Sequence, residues 1–359
     1  MAGDRVGVAL IGAGFIAQYH LAGLQAAGGA DVRLIAGRGK DGGQNKAARL
    51  AQRFGVADVA DDWRRALDRS DVDAVIVATP DHTHEEIAVA AAAAGKSILL
   101  QKPMAGTASA GRRIIAAAQA AGVDLQVSFM HRHFEEVEWA RNRLAEGLIG
   151  RVHSLRVRNA TPGPDWGDWF FDSDNVANGV VDQLGVHGID LAMQLLGPIR
   201  DVSARLATLL AQRRLGDGRI VPVRAPDTAL ATYGFESGCL GTHEMSMIEQ
   251  QGCDRFRIEL YGDQGSLWLR TERGRLAAWA PAHFGQQWHV PELEEAPLGQ
   301  RHHAQWLAGL TGAAPAGRTA IEALSGMQVV EAIRDSAQRD GVRVAVAGRD
   351  GAREGSTDA

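Results

Sequence analysis

The stretch VGVALIGAGFIA, Val6 to Ala17, decides the fold. Val6, Val8, Leu10 and Ile11 form a short apolar run rich in β-branched residues and bounded by glycines, which reads as a buried parallel strand. It passes directly into Gly12-Ala13-Gly14-Phe15-Ile16-Ala17, the pattern G-x-G-x-x-A. Gln18 to Ala27 follows with Leu21, Leu24 and Ala27 on one helical face. Strand, glycine turn and helix are the context that a dinucleotide-binding fingerprint requires. Gly12 lets the chain turn sharply, and Gly14 lets a pyrophosphate approach backbone N–H groups. Ala17 keeps the helix tight on the strand, and the helix N-terminus offers partial positive charge. The expectation is a cofactor held at Gly12, Gly14, Phe15 and Ile16.

Outward from that stretch, 359 residues are enough for two domains with sizeable cores. With 45% apolar and 23% charged residues, the chain has the composition of an ordinary globular protein. A formal charge of −5 with scattered arginines argues against a nucleic-acid partner. Cys239 and Cys253 are too few for a disulfide framework or a zinc site, so no metal is expected, and both read as reduced thiols. No apolar run reaches the length of a membrane span, and the N-terminus shows no basic region or cleavage site, so the expected location is the cytoplasm.

Asp31 to Ala36 is a second strand. Gly37 follows near the position where such a unit carries an acid for the ribose 2′-hydroxyl. The acid is absent, and Gly37 followed by Arg38 and Lys40 leaves room and positive charge for a 2′-phosphate. The cofactor expectation is therefore NAD(P), leaning to NADP. Further strands end at Thr79-Pro80, at Gln101-Lys102-Pro103 and at Phe129, alternating with helices over 44–54, 61–67, 85–94 and 109–121. This βαβ alternation predicts a doubly wound parallel sheet, with ligands at the carboxyl ends of its strands. Thr79, Pro80, His82, His84, Gln101 and Lys102 all fall there. Pro103 restricts Lys102 to an extended backbone, which suits a side chain aimed into a cleft.

The run ATPDHTHEEIAVAAAAAGKSILLQKPMA, from Ala78 to Ala105, resembles the hallmark of the Gfo/Idh/MocA family, named for glucose–fructose oxidoreductase and inositol dehydrogenase. Thr79-Pro80, His84, Gly95-Lys96 and Gln101-Lys102-Pro103 carry the resemblance, which extends over nearly the whole chain, Val6 to about Val346. The departure is Gln101, where the family has Glu. Glutamine keeps the hydrogen-bonding shape but loses the charge that would stabilise a neighbouring ammonium.

In the second half, NGVVDQLGVHGIDL (Asn178 to Leu191) resembles the family's second signature, Asp-x-Gly-x-His-x-x-Asp. Aligning Gly185, His187 and Asp190 sets Gln183 at the family's catalytic aspartate, with Asp182 one position early. On a regular helix residues 183 and 187 differ by about 40°, whereas 182 lies about 140° from 187. Either the local backbone is irregular and Asp182 serves, or an amide replaces the acid. His187 is the candidate general base, titrating near neutral pH by type. Arg132, within FMHRHF, and Trp166 and Trp169, within the aromatic loop TPGPDWGDWFFDSD, are candidate substrate contacts beside Lys102, Gln183 and His187. From Val202 onward VSARLA, RIVPVR, TALATYGF, CLGTHEM, DRFRIELYG and SLWLRT read as short strands without intervening helices.

The expected architecture is a Rossmann domain over 1–124, an α/β domain with a large open, mainly antiparallel sheet over 125–346, and a frayed tail over 347–359. The resemblance implies a dehydrogenase acting on a secondary hydroxyl of a sugar, polyol or related cyclic compound. It also implies a homodimer or homotetramer built through the open sheet. Relatives of two other kinds set the alternatives, a glycoside 3-dehydrogenase or NAD-dependent glycoside-cleaving enzyme and a non-catalytic nucleotide-sensing regulator.

Overall fold

The computed structural model describes residues 5–37, 46–174, 176–250, 255–271, 276–314 and 317–347. The chain forms two compact units, Met1–His133 with Glu295–Leu324, and Phe134–Glu294 with Ser325–Ala359.

The first unit begins with β1 (Val6–Ile11), α1 (Ala17–Ala27), β2 (Ala30–Ala36), α2 (Lys46–Phe54), β3 (Asp58–Ala60), α3 (Arg64–Leu67) and β4 (Ala74–Val77). It continues through α4 (His84–Ala93), β5 (Ser97–Gln101), α5 (Ala108–Ala121) and β6 (Leu125–Ser128). The six strands form one parallel sheet in the order β3-β2-β1-β4-β5-β6, so β6 belongs to it as an edge strand. Strand order reverses between β1 and β4, the point at which doubly wound sheets open a crevice for ligands. Both faces are covered, and Val8, Leu10, Val75, Ile76, Ile98 and Leu100 are fully enclosed. Each such side chain stabilises the fold by about 1.5–3 kcal/mol relative to exposure. The helices stop where the sequence signals it. In α5, Thr107 Oγ1 caps the start by accepting from Ala110 N–H, and Gly122 ends it in the left-handed region.

The second unit holds α6 (Glu135–Ala145), β7 (Val152–Ala160) and α7 (Val186–Leu196), then β8 (Ile199–Ala207), β9 (Gln212–Arg214), β10 (Ile220–Pro222), β11 (Thr228–Phe235) and β12 (Leu240–Ser246). β13 (Phe256–Gly262), β14 (Ser266–Arg270), β15 (Leu276–Trp279) and α8 (Pro281–Phe284) follow. After them come α9 (Gln300–Leu310), which belongs to the first unit, α10 (Thr319–Gln338) and the short β16 (Val344–Ala345). Eight strands form a mixed sheet in the order β15-β14-β13-β7-β12-β11-β8-β16, with β7 and β12 its parallel pair. Every other pairing is antiparallel, as the uninterrupted strand signals imply. One segment departs from that expectation. RIVPVR joins no large sheet, because β10 pairs with β9 in a separate hairpin. Its apolar residues Val221 and Val223 pack with Leu215 and Phe171. On one face of the large sheet, cross-strand partners place Arg205, Leu230, Glu244, Arg158 and Arg257 in a row. This row lines a depression of about 530 Å³. Among the described residues no helix is long and apolar enough to cross a membrane, and no group of His, Cys, Asp and Glu is arranged to hold a metal. Cys239 is a free, buried thiol, and Cys253 lies outside the described residues.

Candidate active site

In the first unit the glycine turn sits at the switch point. Gly12 has φ +107°, and a Cβ there would lie 2.4 Å from the Ala78 carbonyl oxygen, so only glycine lets β1 turn against the end of β4. A Cβ on Gly14 would meet nothing within 4 Å, which leaves open space beside the first turn of α1. Ala17, fully enclosed, brings that helix onto the sheet, and no acidic residue stands in its first turn. A cradle of this shape fits a dinucleotide pyrophosphate. Phe15 beside it is 74% exposed. At the end of β2, where an acid is missing, a side chain would be tightly placed. A Cβ on Gly37 would stand 3.0 Å from Ala13 Cβ and 3.2 Å from Ala47 Cβ. Arg38 and Lys40 lie outside the described residues.

The ends of β4 and β5 are sewn together by His84. Its Nδ1 faces the Pro103 carbonyl at 3.0 Å and its Nε2 the Thr79 carbonyl at 2.9 Å. Burial pushes this imidazole below its ordinary pKa, against the pull of those carbonyls and of Asp81. Thr83 Oγ1 donates to Thr79 Oγ1 at 2.7 Å, and His82 is exposed. Gln101 is buried, and its Oε1 accepts from the Lys102 backbone N–H at 2.9 Å. The amide therefore holds the backbone of Lys102, whose side chain is half-buried beside a cis Pro103. Arg132 is buried, ion-paired with Glu322 and set 5.1 Å over the Phe129 ring.

One cluster of aromatic and imidazole rings in this unit joins residues far apart in the sequence. His302 and His303 of α9 pack on Tyr19 and His20 of α1, the helix that follows the glycine turn. His133 stacks on His302 with ring centroids 4.6 Å apart. The adjacent histidines near a helix start were the visible signal, but only packing supplies their partners.

In the second unit α7 opens with a wide turn. Residues Val181–Gly185 are a π-helix, and Val186 N–H reaches back five residues to the Val181 carbonyl. The backbone is thus irregular where the sequence shows conflict between Asp182 and Gln183. A wide turn advances less per residue than an α-helix, which rotates residue 182 toward the face of His187. The Asp182 carboxylate nevertheless reaches backward. Its Oδ2 accepts from Asn178 N–H at 3.0 Å and its Oδ1 from Asn178 Nδ2 at 3.1 Å. Gln183 is half-buried, and His187 and Asp190 are buried.

Two glycines let α7 lie close on the sheet. A Cβ on Gly185 would stand 2.5 Å from Met245 Sδ, and one on Gly188 would stand 2.5 Å from His243 Cε1. Beneath Gly188 runs a neutral relay that the sequence did not announce. His243 Nε2–H donates to Asn159 Oδ1 at 2.7 Å, and Tyr233 O–H donates to His243 Nδ1 at 2.9 Å. Burial pushes His243 down to about 3 and the Tyr233 phenol upward, so both stay neutral. In the aromatic loop, Phe171 is core. Trp169 and Phe170 stack at 3.7 Å, and Trp166 is 58% exposed.

A glycine turn at the switch point of a parallel sheet, with a polar residue at each neighbouring strand end, is the setting of a dinucleotide-binding protein. Residues 6–129 match the oxidoreductase family with an NAD-binding Rossmann fold, and residues 137–268 match the GFO/IDH/MocA C-terminal domain. The chain is 30% identical over 297 residues to levoglucosan dehydrogenase of Pseudarthrobacter phenanthrenivorans, covering 75% of each chain. It is 34% identical over 267 residues to inositol 2-dehydrogenase 2 of Saccharopolyspora erythraea, covering 73% of this chain and 72% of that one. A solved levoglucosan dehydrogenase in complex with NADH and L-sorbose superposes with a TM-score of 0.83 at 26% identity, covering 96% of this chain and 99% of that one. The chain belongs to the Gfo/Idh/MocA oxidoreductase family, as the two sequence signatures implied.

Proposed function

We propose that the protein oxidises a secondary hydroxyl of a sugar, polyol or related cyclic compound. The bound nicotinamide dinucleotide supplies the hydride-accepting chemistry. Gly12, Gly14 and the first turn of α1 hold its pyrophosphate, with Thr79 and Pro80 at the β4 end beside them. His187 takes the hydroxyl proton as hydride leaves, and Lys102 donates to the reacting oxygen and stabilises its developing charge. Gln183 holds a neighbouring hydroxyl, and exposed Trp166 offers a flat apolar face to a sugar ring, with Trp169 stacked on Phe170 in the same loop. The observation that carries the reading is the open cradle at Gly14 on the β1–β4 switch point. Dehydrogenases named for levoglucosan and inositol among the relatives support the substrate class.

Two finer assignments belong to the same reading. The cofactor is NADP in preference to NAD, because Gly37 stands where an acid would select a free ribose hydroxyl, and Arg38 and Lys40 follow it in the sequence. The face of the large sheet carrying Arg205, Leu230, Glu244, Arg158 and Arg257 is where a homodimer or homotetramer would form, and light scattering on the purified protein tests it.

The test is absorbance of reduced cofactor with NAD⁺ or NADP⁺ over a panel that includes levoglucosan and inositols. Lys102→Ala and His187→Ala should each lower turnover by roughly a hundredfold or more with cofactor affinity nearly intact. Wild-type turnover in both variants, cleaved glycoside without net reduction, or silence across the panel would overturn the reading.

A further inference from the structure

The wide turn at the start of α7 contains two polar side chains that the resemblance leaves in competition, and their hydrogen bonds differ. Asp182 binds Asn178 at two points, through the backbone N–H at 3.0 Å and through the side-chain amide at 3.1 Å. The clamp spans Gly179, which has φ +50° and would place a Cβ 2.0 Å from the Pro226 carbonyl oxygen. Val180 N–H donates to that same carbonyl at 2.8 Å. Asn178 itself is buried, and its backbone carbonyl accepts from Val181 N–H at 3.0 Å. The chain therefore reverses at Gly179, is anchored on Pro226, and enters the wide turn with Asp182 tied back to the residue before the reversal.

We propose that Asp182 is a positioning residue: by clamping Asn178 across Gly179 it sets the wide turn that carries Gln183 and His187, and it exchanges no proton with substrate. The inference rests on His187 as the base in the proposed reaction. Both carboxylate oxygens accept from donors that belong to the chain and stay with it through turnover. Protonating Asp182 would weaken both bonds that it accepts, one of them from the backbone N–H of buried Asn178, whose satisfaction is worth more than an exposed hydrogen bond. Gln183, one residue on, is then the polar group presented near His187, and an amide serves there by orienting a hydroxyl without titrating.

The test is a set of variants at 178 and 182, assayed with the substrate that wild-type enzyme turns over best. Asp182→Asn and Asn178→Ala should each lower kcat about tenfold, with KM and the shape of the pH profile retained. The double variant N178A/D182N should be no worse than the poorer single, because both remove one clamp. The exchanged pair N178D/D182N restores a carboxylate facing an amide, and the amide oxygen introduced at position 182 still accepts the backbone N–H. It should return to within about threefold of wild type, which a proton-transferring acid at 182 could not do. A hundredfold or larger loss in Asp182→Asn with a missing limb in the pH profile, beside near-normal Asn178→Ala, would overturn the assignment. So would an exchanged pair as impaired as Asp182→Asn with an unchanged melting temperature. Wild-type protein without turnover on the panel refutes the oxidoreductase reading itself, and the positioning role falls with it.

Discussion

Acid should loosen the first unit through its buried imidazoles. His303 Nδ1–H donates to the Gly299 carbonyl at 2.7 Å, so its Nε2 carries the lone pair and accepts from His20 Nδ1–H at 3.0 Å. His20 Nε2 is then a buried lone-pair site without a partner. Tyr19 O–H donates to His302 Nδ1 at 3.1 Å. Burial pushes the Tyr19 phenol up, which keeps its proton in place. Each ring is neutral in this arrangement. An added proton would face rings 4.9–5.2 Å away, from His303 to His302 and to His20, with His133 and Arg132 also set against His302. Burial pushes His303 down to about 4, and holds His20 and His302 well below the ordinary 6.5. A folded pKa below the unfolded one means that the unfolded chain binds more protons between the two values. The stability is therefore intact above about pH 6.5 and declines as pH falls toward 4. At about 1.4 kcal/mol per pH unit, His303 alone removes about 3 kcal/mol by pH 4. For a unit of this size that is roughly 6–12 °C in Tm. Melting curves at pH 7.5, 6.0, 5.0 and 4.5, at fixed ionic strength, should show the decline. His303→Asn keeps a donor for Gly299 but cannot titrate. It should melt lower at pH 7.5 and lose less on acidification, so that the two curves converge. Parallel curves, or a wild-type Tm flat from pH 7.5 to 4.5, refute the reasoning.

Two further substitutions probe how the site is built. Gly12→Ala forces a Cβ to within 2.4 Å of the Ala78 carbonyl at a left-handed φ. It should cost about 2 kcal/mol or more and weaken dinucleotide binding at least tenfold by calorimetry, and an unchanged Kd would contradict the cradle. Gly188→Ala drives a Cβ into His243 Cε1 at 2.5 Å and Asn159 Oδ1 at 2.6 Å. Moving α7 off the sheet should lower kcat roughly tenfold while cofactor Kd stays put, and the reverse split would place the effect elsewhere.

Much of this protein is legible in one dimension because its signals are local. The strand–glycine–helix succession at Val6 to Ala27 specifies its own geometry: β1 must be buried on both faces, Gly12 must turn where a Cβ cannot, and α1 must start at Ala17. The uninterrupted strands after Val202 likewise announce an open sheet, since no crossover helix is available to make it parallel. Residue type and spacing also single out Lys102, Gln183 and His187 as the candidates for the proposed reaction. Tertiary structure decided what depended on partners distant in the chain. That RIVPVR pairs only with β9, that β7 runs parallel to β12, and that His20 meets His303 are facts of pairing across long sequence separations, where no period or motif records the partner. The hydrogen bonding of Asp182 is the clearest case. A helical wheel assumes 3.6 residues per turn, and here the turn is wider, because Gly179 and Pro226 set how the chain enters it and Asn178 captures the carboxylate. Local propensity chooses the elements. Which side chain of an element faces the chemistry is set by the packing that seats it.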